Sequence, residues 1–115
     1  VCVEKDDALA AKAQDNWSGA GVVNAAVIAA DPVAGAPKQG PFDVIVIAAA
    51  IGEEPTALLK QLKDGGRLGA IFRKGGVSKG VVWRRSGAAT AAHEIFDASA
   101  RMIAPGFTPP KAFVF

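Results

Sequence analysis

Apolar residues along this chain fall into short β-branched runs separated by one clear helical period. Such runs predict strands over residues 1–4, 22–29, 42–50 and 67–72. Between the first two runs, Leu9, Ala13 and Trp17 recur every four residues, which predicts a helix over residues 7–18 with these side chains on its apolar face. Strands that alternate with helices indicate an α/β layered domain with a mostly parallel sheet.

A second helix is predicted over residues 54–63, because Pro55 suits a first helical turn and three leucines share one face. Asp64, Gly65 and Gly66 then turn the chain into the next strand. The strand over residues 42–50 is apolar almost throughout, which is typical of a strand covered on both faces. Three prolines and two glycines over residues 31–41 predict a loop.

The last third of the chain has a different pattern. Alternating faces predict a strand over residues 80–85, after a turn at 73–76. Residues 89–103 stay open between two structures, because their alanines favour a helix whereas alternation around Ile95 and Asp97 suits a strand. A short terminal strand or a tail is predicted over residues 111–115.

Composition narrows the choice of function only slightly. A chain of 115 residues indicates one domain, and its net charge of +2 gives no strong case for a nucleic-acid or membrane partner. The single cysteine, Cys2, excludes an internal disulfide and a cysteine zinc site, and it is expected to be a small buried residue. His93 is the one histidine and has no second ligand at metal-binding spacing, so no metal site is predicted. A reduced, cytoplasmic setting fits this cysteine usage.

Several stretches carry a resemblance to a known family. They are Val3-Glu4, residues 30–35, residues 41–46, the run from Pro55 through Leu68, and the tail pieces 84–87, 95–97 and 105–107. On these residues the chain resembles the protein-L-isoaspartate O-methyltransferases, in particular a bacterial branch of them. The resemblance covers only the C-terminal half of such a protein. It implies a Rossmann-like class I methyltransferase fold, with antiparallel C-terminal strands, lacking the first strand and its glycine-rich loop.

The resemblance also implies a cofactor site. Glu4, which ends its strand, would bind both ribose hydroxyls of S-adenosylmethionine, and a carboxylate is suited to a vicinal diol. Asp31 would contact the adenine amino group, and Pro32 beside it is also a candidate cofactor-binding residue. Lys5 would frame the adenine, with a solvated surface lysine as the alternative. Pro32 and Ala30 depart from the Gly-Asp-Gly of the commoner sequences. Without the resemblance, Glu4 is a surface acid and Asp31 a turn residue.

The loop that begins at Ala48 and Ala49 would line the active site. Ala48 stands where the commoner sequences have threonine, and Ile51-Gly52 stands where they have alanine-proline. The implied reaction moves a methyl group from S-adenosylmethionine to the carboxylate of an L-isoaspartyl residue in a damaged protein or peptide, leaving S-adenosylhomocysteine. That carboxylate is ionised at neutral pH, so no strong base is needed and no catalytic residue is assigned.

The missing first strand has two expected consequences. The chain alone should bind the cofactor weakly and be inactive, because the glycine-rich loop is absent. An unpaired sheet edge should also recruit a second copy, which predicts a homodimer. Two alternatives stay open: a non-catalytic Rossmann-like module that binds another nucleotide through Glu4, and a structural domain whose function is dimerisation.

Overall fold

The computed structural model describes residues 1–100 and 103–108. The helices and strands, in chain order, are β1 (Cys2–Glu4), α1 (Asp7–Gly19), β2 (Val27–Ala29), β3 (Phe42–Ile51), α2 (Thr56–Leu59), β4 (Leu62–Lys74), β5 (Val77–Ser86) and β6 (Ala89–Ala98). The chain divides into two compact units, Val1–Gly40 and Pro41–Phe115, and each unit contains one sheet.

The first unit is a β-α-β arrangement. Strands β1 and β2 pair in parallel, with Glu4 opposite Ala29, and α1 connects them. The helix begins at Asp7 because the Asp6 carboxylate accepts a hydrogen bond of 3.0 Å from the Leu9 amide, which satisfies a free donor of the first turn. The predicted helix over residues 7–18 is therefore confirmed to within one residue at its end.

Two predictions for this unit are wrong in detail. Ala10 is buried, whereas Leu9 is 54% exposed, so the inner face of α1 is centred on Ala10 and Trp17 rather than on Leu9. The strand predicted over residues 22–29 covers only its last three residues. Its partner β1 is also three residues long, and a ladder extends only as far as both strands can pair.

The second unit is built on a four-stranded sheet in the order β3-β4-β5-β6. Strands β3 and β4 are parallel, while β4–β5 and β5–β6 are antiparallel. Val46 lies opposite Gly69, which in turn lies opposite Val82. The predicted α/β fold with antiparallel C-terminal strands is therefore confirmed.

One face of this sheet carries the core. Ile51, Leu62 and Leu68 are fully buried, and Phe107 is nearly so. The Phe72 and Trp83 rings meet edge to face with centroids 5.9 Å apart. The core of the unit is therefore apolar and includes side chains from β3, β4 and β5.

The second predicted helix is much shorter than expected. It spans Thr56–Leu59 instead of residues 54–63, because Leu62 already belongs to β4. The Phe42 amide donates to the Gln61 carbonyl at 2.7 Å, and this bond starts the parallel ladder early. The turn predicted at Asp64 to Gly66 becomes an irregularity inside β4, where Gly65 has φ of 78°.

Strand β3 is not covered on both faces, contrary to the prediction. Val44 is 53% exposed and Val46 is 73% exposed. Among the strands of the described residues β3 pairs with β4 alone, and its other edge has one isolated bridge, between Ala50 and Ile103, so β3 forms an edge of the sheet. Its apolar run therefore has one face and one edge open.

For residues 89–98 the open question is decided in favour of a strand. Residues Ala89–Ala98 form β6, which follows a turn with Gly87 at φ of 60° and pairs with β5 as a hairpin. Cross-strand pairing with β5 overrides the helical preference of the alanines. Arg101 and residues 111–115 lie outside the described residues.

Gly66 has a specific steric role. A Cβ atom there would lie 2.8 Å from the Lys63 carbonyl oxygen and 3.1 Å from the Phe42 carbonyl oxygen, both backbone atoms. We expect Gly66→Ala to lower the free energy of unfolding by about 1–3 kcal/mol, as forced overpacking does. Gly69→Ala is the matched control, since nothing lies within 4 Å of its added Cβ. Urea unfolding of both variants measures their free energies of unfolding. An equal loss of stability in the two variants would contradict the steric role of Gly66.

The cross-strand pair Lys79–Asp97, at 2.6 Å, makes stability depend on pH. The hydrogen bond to Lys79 lowers the pKa of Asp97, and the same bond raises the pKa of Lys79. The Asp97 contribution is present above its unfolded pKa near 3.8 and is lost as pH falls through the lower folded pKa. The contribution of Lys79 to stability is fully present below pH 10.5, its unfolded pKa, and is lost as pH rises through the higher folded pKa.

We therefore expect Asp97→Asn to be less stable than the parent chain at pH 7, with the difference shrinking at pH 2. Glu94→Gln, a change in a neighbouring acid on β6, is the control and should have a smaller effect. Urea unfolding midpoints at the two pH values test this. If the stability difference between Asp97→Asn and the parent chain were the same at both pH values, the Lys79–Asp97 ion pair would not be its cause.

Candidate functional site

The two predicted cofactor carboxylates lie close together in the first unit. Glu4 is the last residue of β1, and Asp31 follows β2 by two positions. Because the strands are parallel, both residues follow carboxyl ends at the same edge of the sheet, where ligands bind in α/β folds. The Ala30 amide donates to the Glu4 carbonyl at 3.1 Å, which holds the two segments side by side.

Each carboxylate also makes a short local bond. Glu4 Oε1 accepts from the Asp6 amide at 3.1 Å, and Asp31 Oδ1 accepts from the Val33 amide at 3.0 Å. Asp31 is exposed and Glu4 is partly exposed, so both acids remain open to solvent. The geometry fits a hydrogen-bonding site for hydroxyl and amino groups, and the local bonds fix where the carboxylates point.

The residues beside these acids lie where the sequence placed them. Lys5 is exposed directly after β1, and Pro32 is partly buried directly after Asp31. The Asp31 carbonyl accepts from the Ala34 and Gly35 amides at 3.2 and 3.1 Å, so Pro32 belongs to a tight turn. Asp31 is therefore a turn residue as well as a candidate ligand-binding residue.

Ala48 and Ala49 lie in strand rather than in a loop. Both are exposed residues of β3, which continues to Ile51, so the predicted loop start at Ala48 is wrong. The ladder continues because Ala50 pairs with Ile71 and also forms a bridge with Ile103. The two alanines thus lie in the last residues of β3, just before its carboxyl end.

The sequence did not reveal what lies against that end of β3. The Ala104 amide donates to the Ala50 carbonyl at 2.8 Å, and the Gly52 amide donates to the Phe107 carbonyl at 2.7 Å. Phe107 is 2% exposed. A buried aromatic directly after Pro105-Gly106 is the one local signal that this segment packs inward.

Other candidate chemistry is sparse. Cys2 is exposed, contrary to the prediction that it is buried, because the short β1 has β2 on one side only within the described residues. Across residues 1–100 and 103–108, no cluster of three or more His, Cys, Asp or Glu side chains is arranged to hold a metal ion. No helix in that part of the chain is long and apolar enough to cross a membrane.

A shallow pocket of about 180 Å³ lies beside α2 and the β5–β6 hairpin, and Arg85 and Lys60 are among its lining residues. Arg85 is already engaged there. Its guanidinium donates to the carbonyls of Gly87 at 2.8 Å, Lys60 at 3.1 Å and Leu62 at 2.5 Å. The pocket therefore surrounds an arginine whose hydrogen bonds join β5 to the segment between α2 and β4. We call this set of bonds the Arg85 tie.

The α/β order with antiparallel C-terminal strands defines a Rossmann-like fold. The comparisons with known proteins specify the family. Residues 1–79 match the model of the protein-L-isoaspartate(D-aspartate) O-methyltransferase family. The chain belongs to that family.

Similar curated proteins agree. The chain is 41% identical over 68 residues to the protein-L-isoaspartate O-methyltransferase of Methanoculleus marisnigri, an alignment that covers 59% of this chain and 31% of the relative. It is 37% identical over 86 residues to the Hahella chejuensis protein of the same name, covering 75% of this chain and 41% of the relative. The matched region is thus a third or so of the length of these relatives.

Solved structures share the fold. A protein-L-isoaspartate O-methyltransferase superposes with a TM-score of 0.81 at 19% identity, over 92% of this chain and 34% of that one. A putative protein-L-isoaspartate O-methyltransferase from Plasmodium falciparum, in complex with S-adenosyl-L-homocysteine, superposes with a TM-score of 0.71 at 17% identity. This second match covers 89% of this chain and 50% of that one.

The Arg85 tie leads to a stability prediction with a built-in control. Arg85→Gln removes three charged hydrogen bonds, of which the one to the Leu62 carbonyl is partly buried, and we expect it to cost about 1–3 kcal/mol of unfolding free energy. Arg84→Gln is the control, because Arg84 is exposed and lies opposite another arginine, Arg67. Chemical denaturation compares them. A larger loss in Arg84→Gln would contradict this account.

Proposed function

We propose that this chain is the C-terminal portion of an S-adenosylmethionine-dependent methyltransferase that methylates the carboxylate of L-isoaspartyl residues in damaged proteins. The observation that carries the proposal is the position of Glu4 and Asp31, adjacent at the carboxyl ends of two parallel strands, in a chain that belongs to this family. The proposal also includes a role in protein repair and a location in the cytoplasm.

The roles of the first unit follow from donor and acceptor chemistry. Glu4 accepts hydrogen bonds from the two ribose hydroxyls, and Asp31 accepts one from the adenine amino group. Lys5 and Pro32 frame the adenine on either side of these acids. The structure of the Plasmodium falciparum protein with S-adenosyl-L-homocysteine supports this choice of cofactor.

The proposal gives the second unit a role through Ala48 and Ala49, which present small, exposed side chains near the carboxyl end of β3. The cofactor, when bound, provides an electrophilic methyl group on its sulfonium. The substrate carboxylate is already ionised, so the protein's task is to align it, and alignment alone is worth about 7–11 kcal/mol.

The proposal also predicts how the 115-residue chain by itself binds the cofactor. The family resemblance assigns the methionine part of the cofactor to a glycine-rich loop that residues 1–115 do not match. We expect the 115-residue chain to bind S-adenosylhomocysteine more weakly than micromolar and to be inactive. Calorimetry tests this expectation, and a clear micromolar signal would contradict it.

Weak binding can still locate the site. We expect millimolar S-adenosylhomocysteine to shift the amide signals of Glu4, Lys5 and Asp31 in a ¹⁵N-labelled chain, followed by NMR. Glu4→Gln should abolish these shifts, because a neutral amide replaces the carboxylate acceptor. The matched control is Asp15→Asn, an exposed acid on α1.

The same titration separates the alternatives. Stronger shifts with NAD or ADP than with S-adenosylhomocysteine would favour a module that binds another nucleotide through Glu4. No shift with any nucleotide, together with a tight dimer, would favour a structural domain. Either result would overturn the proposed function.

We further propose a homodimer formed through the open edge of β3. That edge offers unpaired backbone groups beside exposed Val44 and Val46, which is the kind of edge that recruits a second strand. Light scattering at high protein concentration should give twice the chain mass of 11.7 kDa. A monomer under those conditions would count against the dimer.

A further inference from the structure

Asp64 and Gly65 form the one Asp-Gly sequence of this chain, which contains no Asn-Gly sequence. An aspartate side chain can react with the backbone nitrogen of the next residue to close a five-membered succinimide ring. Glycine in the next position favours this reaction most, because it has no side chain to hinder the attack and reaches backbone conformations that other residues avoid. The sequence therefore marks Asp64 as the most reactive aspartate of the chain.

The local structure leaves this pair of residues room to react. The regular ladder with β3 is interrupted between Leu62 and Arg67, where β4 advances by five residues against two in β3. Asp64 and Gly65 are both exposed, and Gly65 has φ of 78°. Among the described residues, nothing lies within 4 Å of the position that a Cβ atom on Gly65 would take. The backbone at this irregularity is therefore open to the rotation that ring closure requires.

One hydrogen bond restrains the Asp64 carboxylate. Its Oδ1 atom accepts from the Gly87 amide at 2.8 Å. Gly87 is held in turn by Arg85, whose Nε donates to the Gly87 carbonyl at 2.8 Å. The same guanidinium donates to the Leu62 carbonyl, at the start of β4. The Asp64 carboxylate therefore stays on the turn between β5 and β6 for as long as the Arg85 tie holds that turn in place.

We infer that Asp64 is a modification site, at which its peptide bond to Gly65 isomerises spontaneously to an L-isoaspartyl linkage. The hydrogen bonds of Gly87 and Arg85 limit the rate. In the first step the Gly65 nitrogen attacks Cγ of Asp64, loses its proton, and displaces one carboxyl oxygen as water.

In the second step a water molecule adds to the other ring carbonyl, which was the main-chain carbonyl of Asp64. The bond from that carbon to the Gly65 nitrogen breaks, so a free α-carboxylate remains and the chain continues through Cγ. One water molecule leaves and one enters, and no other reactant is consumed. The product belongs to the class of residue named in the proposed function, but the inference does not rest on that function, because the steps need only the chain and water.

The isoaspartyl linkage adds one carbon atom to the backbone close to Gly66, where space is most limited. A Cβ atom on Gly66 would lie 2.8 Å from the Lys63 carbonyl oxygen and 3.2 Å from the Asp43 carbonyl oxygen. A longer backbone cannot keep this close approach and the pairing of Val44 with Arg67 at the same time. We therefore expect the isomerised chain to unfold at a lower urea concentration than the fresh chain.

The test follows the uptake of ¹⁸O by each aspartate. The 115-residue chain is kept for several weeks in H₂¹⁸O at neutral pH without cofactor, then digested in ordinary water and analysed by mass spectrometry. Each passage through the succinimide leaves one ¹⁸O atom in residue 64, and electron-transfer fragmentation beside the extra backbone carbon identifies isoaspartate. We expect Asp64 to take up label at least tenfold faster than Asp7 and Asp97, which are exposed and followed by alanine.

Two variants and a control test the restraint. Arg85→Gln should speed the labelling of Asp64 at least threefold, because the turn at Gly87 is then released. Arg84→Gln, the same change in the neighbouring exposed arginine, should leave the rate unchanged. Phe107→Ala removes a buried side chain beside the other end of β3, and it should lower stability with a smaller effect on the rate. The chain unfolded in urea gives the rate without restraint, which should exceed that of the folded chain.

Labelling of Asp64 no faster than that of Asp97 would overturn the modification site. Equal acceleration by Arg85→Gln and Phe107→Ala, at equal losses of stability, would overturn the restraint, because global unfolding would then set the rate. An equal rate in the folded and the urea-unfolded chain would overturn it as well. None of these measurements contains cofactor, so a failure of the proposed function would leave their results unchanged.

Discussion

The parallel pairing of β3 with β4 is the constraint on which the second unit depends. It begins at the hydrogen bond from Phe42 to Gln61, and the close approach at Gly66 allows it to pass the irregularity in β4. Because β4 also pairs with β5, and β5 with β6, this ladder sets the register of the whole sheet. The next ladder, between β4 and β5, brings Arg67 opposite Arg84.

In the first unit, the short parallel ladder between β1 and β2 positions the candidate site residues. Three residue pairs between β1 and β2 are enough to place Glu4 beside the turn that contains Asp31. A parallel pair always sends its two carboxyl ends to the same edge, so two acids far apart in sequence become neighbours. The proposed function places the ribose and adenine of the cofactor at this edge.

The sequence predicted elements best where local chemistry decides them. Helix α1 was placed correctly: Asp6 caps its first turn, and the helix ends at Gly19, shortly before Gly21 with φ of 76°. The predictions failed where pairing partners decide: β2 stops where β1 stops, α2 is cut short by β4, and residues 89–98 become a strand because β5 is available. The site residues Glu4, Lys5, Asp31 and Pro32 came from a family resemblance, and their spacing alone would not have identified them.

The sequence by itself determined the α/β class, the family, the identity of the candidate ligand-binding acids and the position of the first helix. These depend on residue types and on spacings within one turn or one strand. Only the tertiary structure decided that β3 is an edge with one face open, that Phe107 packs against its end, and that two arginines share one row. Such features depend on register and on burial between segments distant in the chain, and hydrophobic pattern alone cannot distinguish a covered strand from an uncovered one.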